Sequence, residues 1–220
     1  MVVLMSVLSG LTPAGETTGH AGRHDFSDAE HWAKIFDDPA RLEWQKPRLV
    51  MALLAIRPGV RVADIGAGTG FFTRQLAMAV GSRGRVYAVE IEPTLIEHID
   101  GREDLEPYRD RVVTILGEPD DPKLPAGELD VVMVVNTWHH ISGRTDYITR
   151  LQHSLNGDGR VVIIDWQAGD LPLGPPPEQR LPRQTVIDEF EQAGWTFDTE
   201  SVMLPYQYLF VFEPPPADGN

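Results

Sequence analysis

The chain has 220 residues, 42% of them hydrophobic, which suits one globular domain with a full core. Its formal net charge of −14 and lack of any Lys/Arg run disfavour nucleic acid as a partner and fit a small or cationic ligand. Cysteine is absent, which excludes disulfides, thiolate metal sites and cysteine nucleophiles.

Residues 1–11 are apolar but too short to span a bilayer. They read as an extended start, with a signal-peptide core cleaved near Thr12-Pro13-Ala14 as the alternative. No Lys or Arg precedes them, so the basic start of a signal peptide is missing, and a cytoplasmic location is expected. Residues 12–23 are rich in Gly and Thr, so residues 1–24 are expected to be flexible. Ser27, with Glu30 three residues on, predicts a capped helix carrying Trp32, Ile35 and Phe36. Asp37-Asp38-Pro39 stops it. A short second helix from Ala40 carries Leu42 and Trp44. A third runs from Pro47 to about Ile56, with Leu49, Leu53 and Ile56 on one face, before Pro58-Gly59. These aromatics precede the first strand, so they cannot all sit in a central sheet. Residues 25–57 are therefore expected to form a helical cover over a site, with Trp32, Phe36 and Trp44 against a substrate.

Residues 62–73, Val-Ala-Asp-Ile-Gly-Ala-Gly-Thr-Gly-Phe-Phe-Thr, organise the rest of the chain. A run of β-formers breaks into Gly66, Gly68 and Gly70, and then Phe72, Leu76 and Val80 recur at helical spacing. Strand, glycine turn and helix open the nucleotide site of a doubly wound α/β fold. The spacing is Gly-x-Gly-x-Gly, and Phe71 stands where a dinucleotide fingerprint wants Gly or Ala, so an NAD-dependent dehydrogenase is disfavoured. Asp64, two residues before the first glycine, suits a ligand with a cationic amine. Glu90 ends the next apolar run, Val86-Tyr87-Ala88-Val89, where an acid accepts from ribose hydroxyls. One acid for an amine and one for a ribose describe S-adenosylmethionine (SAM).

Asp64-Ile65-Gly66-Ala67-Gly68-Thr69-Gly70 followed by Val86-Tyr87-Ala88-Val89-Glu90 resembles the first two motifs of class I SAM-dependent methyltransferases. The resemblance covers residues from about 44 to the C-terminus. It implies a doubly wound, mostly parallel seven-stranded sheet ending in an antiparallel hairpin, with helices on both faces. The core would span residues 58–213 and leave 214–220 as a loose tail. It also implies SAM as cofactor, held by Asp64, Gly66, Ala67, Gly68, Gly70, Glu90 and Ile91. After the third strand, residues 112–116, the family places an acid against the adenine amino group. Glu118 aligns best and Asp120 competes, with Pro119 between them; Asn136, after the fourth strand, completes the donor set.

Pro93 starts a helix with Leu95, Ile96 and Ile99 inward. Residues 129–135 are almost wholly apolar, as in a central strand buried on both faces. They end in Asn136-Thr137-Trp138-His139-His140-Ile141, at the edge where such sheets bind ligands. His139 and His140 are the catalytic candidates, as general base for a nucleophile that loses a proton. Side chains alternate in direction along a strand, so one imidazole is expected to face the cavity and the other to brace the loop, with His139 inward. No third ligand is spaced to make them a metal site.

A helix over 144–155 and a turn at Asn156-Gly157-Asp158-Gly159 precede a fifth strand, 161–164, that delivers Asp165 and Trp166 to the same edge. The family has two successive glycines in this turn, and Asp158 replaces the first. The proline-dense loop 170–182 is stiff enough to wall an acceptor pocket. A helix over 185–193 and strands 195–202 and 206–212 close the chain. Trp138, Asp165 and Tyr206 join the substrate-binding candidates, with Asp165 also a weaker candidate base. The activity implied is methyl transfer from SAM to a small-molecule O, N or C nucleophile, with no membrane partner. The family's Asn-Pro-Pro-Tyr-type motif is absent after the fourth strand, which disfavours adenine or glutamine nitrogen. The alternative is a SAM-binding regulatory module, which would lack an open acceptor cavity.

Overall fold

The computed structural model describes residues 26–216; the expectations for residues 1–24, and for the last four residues, lie outside them. A seven-stranded sheet runs in the order β3-β2-β1-β4-β5-β7-β6. Its strands are β1 Arg61–Ile65, β2 Arg85–Glu90, β3 Val112–Leu116, β4 Leu129–Val135, β5 Leu155–Trp166, β6 Thr196–Ser201 and β7 Gln207–Glu213. The first five pair in parallel, and β7 is antiparallel to both β5 and β6. The helices are α1 Ala29–Phe36, α2 Arg41–Trp44, α3 Pro47–Leu53, α4 Phe71–Val80, α5 Pro93–Gly101, α6 Arg144–Ser154 and α7 Arg183–Gln192.

The central strands are buried on both faces, and their two-residue period divides the core. Val62, Val131, Met133, Val135, Val162 and Ile164 face one cluster, with Leu76 of α4 and Val50 and Met51 of α3. Ala63, Ile65, Val132, Val134, Val161 and Ile163 face the other, with Ile148 and Leu151 of α6 and Phe190 of α7. Parallel strands carry their carboxyl ends to one edge, so Ile65, Glu90, Leu116, Val135 and Trp166 all end on the same side.

Several local expectations change. Asp28, not Ser27, caps α1, its side chain accepting from the backbone N–H of His31 at 3.0 Å. On α3 the inward residues are Val50 and Met51, followed by Leu54, while Leu53 is 45% exposed. Pro47 fixes where this two-turn helix begins, and its docking against α4 chooses the face. The expected turn at Asn156-Gly157-Asp158-Gly159 is the irregular first half of β5, which pairs Leu155 with Leu129 before the register shifts. Helix α3 packs into the core, and among residues 26–57 those lining the cavity end at Trp44. No helix among the described residues is long and apolar enough to cross a membrane.

Candidate active site

A cavity of about 680 Å³ opens at the carboxyl edge of the sheet, between the glycine turn, the cover and the proline loop. That size lies within the roughly 300–1,000 Å³ typical of small-molecule sites.

Its floor is the turn from β1 to α4. Gly66 has φ +68°, and a Cβ there would stand 2.3 Å from the Thr137 hydroxyl oxygen, so neither the backbone nor the space admits a side chain. Gly68 has φ +58°, and the Phe36 ring of α1 lies where its side chain would point. Asp64 is buried and accepts from the Thr73 hydroxyl at 2.7 Å. Burial without a charged partner in contact pushes its carboxyl up to about 6. Glu90, at the end of β2, accepts from the backbone N–H groups of Gly68 at 2.9 Å and Ile91 at 2.7 Å. Burial raises its pKa as well. These bonds tie the glycine turn to the second strand. The Thr69 hydroxyl on the cavity wall is buried with no hydrogen-bond partner among the described residues.

Of the expected donor residues, Asp64, Gly66, Ala67, Gly68, Glu90, Ile91, Glu118, Pro119 and Asn136 line the cavity. Gly70 and Asp120 do not. Gly70, at φ +87°, is the left-handed residue that admits the chain to α4, and its missing Cβ faces Ile99. Asp120 sits at the exposed tip of a turn whose flanks, Glu118 and Asp121, pair with each other, so only Glu118 reaches the wall. Lys123 forms an ion pair with Glu118. Asn136 adopts φ +54° as the chain leaves β4, and its amide oxygen accepts from Gln207.

Much of the remaining cavity wall is aromatic. Trp32, Phe36 and Trp44 line it, joined by Phe26 and Trp166. Trp32 stacks on Phe36 with ring centroids 5.1 Å apart, and Trp44 lies 5.2 Å from Trp166. Tyr206 stands behind Trp44, off the wall, at 6.2 Å. Trp138 is not a wall either. It is fully buried in the core beside Phe190, with its indole N–H donating to Glu189 at 3.0 Å. The short 3₁₀ turn Trp138–His140 turns this ring inward and brings the next two residues out.

Both histidines therefore line the cavity, their rings 4.1 Å apart. The turn defeats the alternation expected of an extended chain. Asp165 is behind the wall, not on it: its oxygens lie 2.8 and 3.0 Å from His139 Nδ1, and one accepts from the His139 backbone N–H at 3.1 Å. It is thus placed as the partner of an imidazole instead of a substrate ligand. No group of three metal-ligating side chains occurs among the described residues.

Sequence reasoning passed over Arg41, whereas it expected the proline-dense loop 170–182 to wall a pocket. Arg41 lines the cavity from α2, and Leu173, Gly174, Pro175 and Pro176 line it too, with Gly174 packed on the Trp166 ring. Arg180 holds that loop, donating to the carbonyls of Pro175 at 2.7 Å and Gly169 at 2.6 Å. The proline density was the available signal for the loop; Arg41 gave none, because its place depends on how the cover docks.

Strand order, glycine turn and strand-end acids define a class I SAM-dependent methyltransferase, and the comparisons agree. Residues 62–169 match a methyltransferase domain family. A SAM-dependent methyltransferase from Aquifex aeolicus superposes with a TM-score of 0.79 at 25% identity, over 86% of this chain and 98% of that one. A ubiquinone/menaquinone biosynthesis C-methyltransferase from Ectopseudomonas mendocina is 27% identical over 57% of this chain and 49% of its own length. An aklanonic acid methyltransferase from a Streptomyces species is 27% identical over 61% of each. The chain spans about half the length of the first curated relatives it matches. Residues 62–169 thus carry a methyltransferase domain, on the fold of the class I SAM-dependent methyltransferases.

Proposed function

We propose that this chain methylates a small, largely apolar molecule in the cytoplasm, at a nucleophile that gives up its proton to His139. The observation that carries the reading is one continuous cavity lined by donor-type acids, by aromatic rings and by a carboxylate-held imidazole. The donor fits the residues present. Asp64 is a buried carboxylate with no ion pair in contact, which suits the amine, and Glu90 and Glu118 suit the ribose and the adenine amino group. Bound SAM supplies a methyl group already activated on a sulfonium.

The protein's share is alignment, exclusion of water and removal of a proton. With Nδ1–H donated to Asp165, Nε2 of His139 is the free acceptor. The rings of Trp32, Phe36, Trp44 and Trp166 favour a flat apolar acceptor and a passing cation over water. A nucleophile that must lose a proton points to a hydroxyl or an acidic C–H. The names of the relatives support small acceptors: a quinone pathway, aklanonic acid and 27-O-demethylrifamycin SV. Nucleic acid and membranes are not part of this reading. An acceptor cavity is also what a purely regulatory SAM-binding module would not need.

The test is release of S-adenosylhomocysteine by the purified chain with SAM and panels of phenols, enols, amines, protein and RNA. Turnover confined to the hydroxylated and enolic compounds is expected. Tight SAM binding with transfer only to protein or RNA would overturn the acceptor reading.

A further inference from the structure

We infer that Arg41, carried on the cover, binds the carboxylate of the methyl donor, so that the donor fastens the cover over the acceptor end. The inference rests on the proposed SAM site. The donor's amino-acid end carries an ammonium and a carboxylate on one carbon. Asp64 answers the first, and the second needs a cation or N–H donors close by. Asp38, Asp64, Glu90 and Glu118 line the cavity, and Arg41 is the one Lys or Arg among its described lining residues.

The guanidinium is already held in place. Its carbon lies 4.1 Å from the centroid of the Phe71 ring, at the start of α4. Its Nε donates to Gln45 Oε1 at 2.8 Å, and Nη1 donates to the Phe36 carbonyl. Nη2 makes no hydrogen bond to the described residues, so donors remain after the side chain is fixed. Gln45 is fully buried and sits one helical turn from Arg41, which makes it a positioning residue for the fork. Burial pulls the guanidinium down to about 10, with Asp37 and Asp64 acting against it, so the group stays charged at neutral pH and would gain from an anion.

The cover meets the glycine turn elsewhere as well. The Phe36 ring rests over Gly68. Arg102 joins Asp37 of the cover, at 2.8 Å, to the Thr69 carbonyl of the turn, at 2.8 Å. A carboxylate between Arg41 and the turn would add a further link that exists only with donor bound. Acceptor binding would then follow donor binding, because the aromatic wall sits on the same segment.

The test compares S-adenosylhomocysteine with its decarboxylated analogue, which keeps the amine, by calorimetry. The wild-type protein should prefer the carboxylate by roughly 10-fold or more, the scale of a charge-assisted hydrogen bond. Arg41→Gln should erase that preference, leaving the decarboxylated analogue within about 2-fold of wild type. Hydrogen exchange over residues 29–44 should slow with S-adenosylhomocysteine and not with the analogue. Equal weakening of both ligands, or a preference kept in Arg41→Gln, would overturn the inference. Should Arg41→Gln fail to fold, Arg41→Lys must show a reduced preference for the carboxylate; an undiminished one overturns it. A wild type that binds neither ligand overturns the donor reading itself.

Discussion

His139 Nδ1 stands 2.8 Å from one oxygen of Asp165 and 3.0 Å from the other, and the same carboxylate accepts the His139 backbone N–H at 3.1 Å. Asp165 also accepts from the backbone N–H of Trp166 at 2.8 Å. Both side chains are nearly inaccessible, at 3% and 2% exposure. The last residues of β5 thus hold the ring that follows β4, and the carboxylate sets which nitrogen turns to the cavity.

Replacing His139 with Ala should lower turnover by about 10²-fold or more while S-adenosylhomocysteine affinity stays unchanged. Asp165→Asn leaves one acceptor oxygen where two now serve three donors, and should lower turnover with the donor still bound. Steady-state kinetics with an acceptor found by the panel, beside calorimetry, checks both. Loss of donor affinity equal to the loss of rate would make the pair structural.

Asp64 predicts how donor binding follows pH. Its carboxyl sits near 6 in the empty protein because burial disfavours the charge. A cationic amine binds the ionised form, so protons compete with it below that value. Affinity for S-adenosylhomocysteine should be flat from pH 8 to about 6.5 and then fall, by roughly 10-fold per unit. Asp64→Asn should weaken binding at pH 8 and flatten the profile.

The same shift has a stability consequence of fixed sign. A carboxyl raised from 3.8 to about 6 on folding contributes stability below 3.8 that is lost as pH rises through about 6. At pH 8 the empty protein bears the cost of the buried charge. Asn keeps an oxygen for the Thr73 hydroxyl, so Asp64→Asn should stabilise the unliganded fold at pH 8 by roughly 1–3 kcal/mol, read by denaturant unfolding. A less stable variant would mean that the carboxylate is compensated in a way burial does not reveal.

Trp138 shows what a sequence hides. The strand through Val135, the glycine spacing and the acids at strand ends were legible, because period and spacing are properties of the local chain. The orientation of Trp138, His139 and His140 depends on a 3₁₀ turn that no periodicity announces. The His139–Asp165 pair joins residues 26 apart in sequence, and Arg41 reaches the cavity only through docking of the cover. Trp138→Phe keeps the ring stacked in the core and loses the bond to Glu189, which Arg144 still partners at 2.8 Å. It should cost about 1 kcal/mol of stability and leave both donor affinity and acceptor KM unchanged. A raised acceptor KM would return Trp138 to the pocket.

Gly174 offers the sharpest separation of acceptor from donor. It holds φ +100°, and a Cβ there would stand 2.7 Å from the Trp166 indole ring. The proline loop therefore lies flat on a cavity wall only because this residue has no side chain. Arg180 fixes the loop on either side through the carbonyls of Gly169 and Pro175, so the loop cannot relax far without breaking those bonds. Gly174→Ala must lift the loop, tilt Trp166, or both. Trp166 lies 5.2 Å from Trp44, so a tilt passes to the cover side of the aromatic chamber. Displacements on this scale at a positioning wall can cost up to about 10²-fold in rate. The acceptor kcat/KM should fall by at least about 10-fold, while donor affinity at Asp64 and Glu90 stays within about 2-fold. Calorimetry with S-adenosylhomocysteine and acceptor kinetics on the one variant decide it. An equal fall in donor affinity would place the proline loop over the donor and move the acceptor chamber elsewhere.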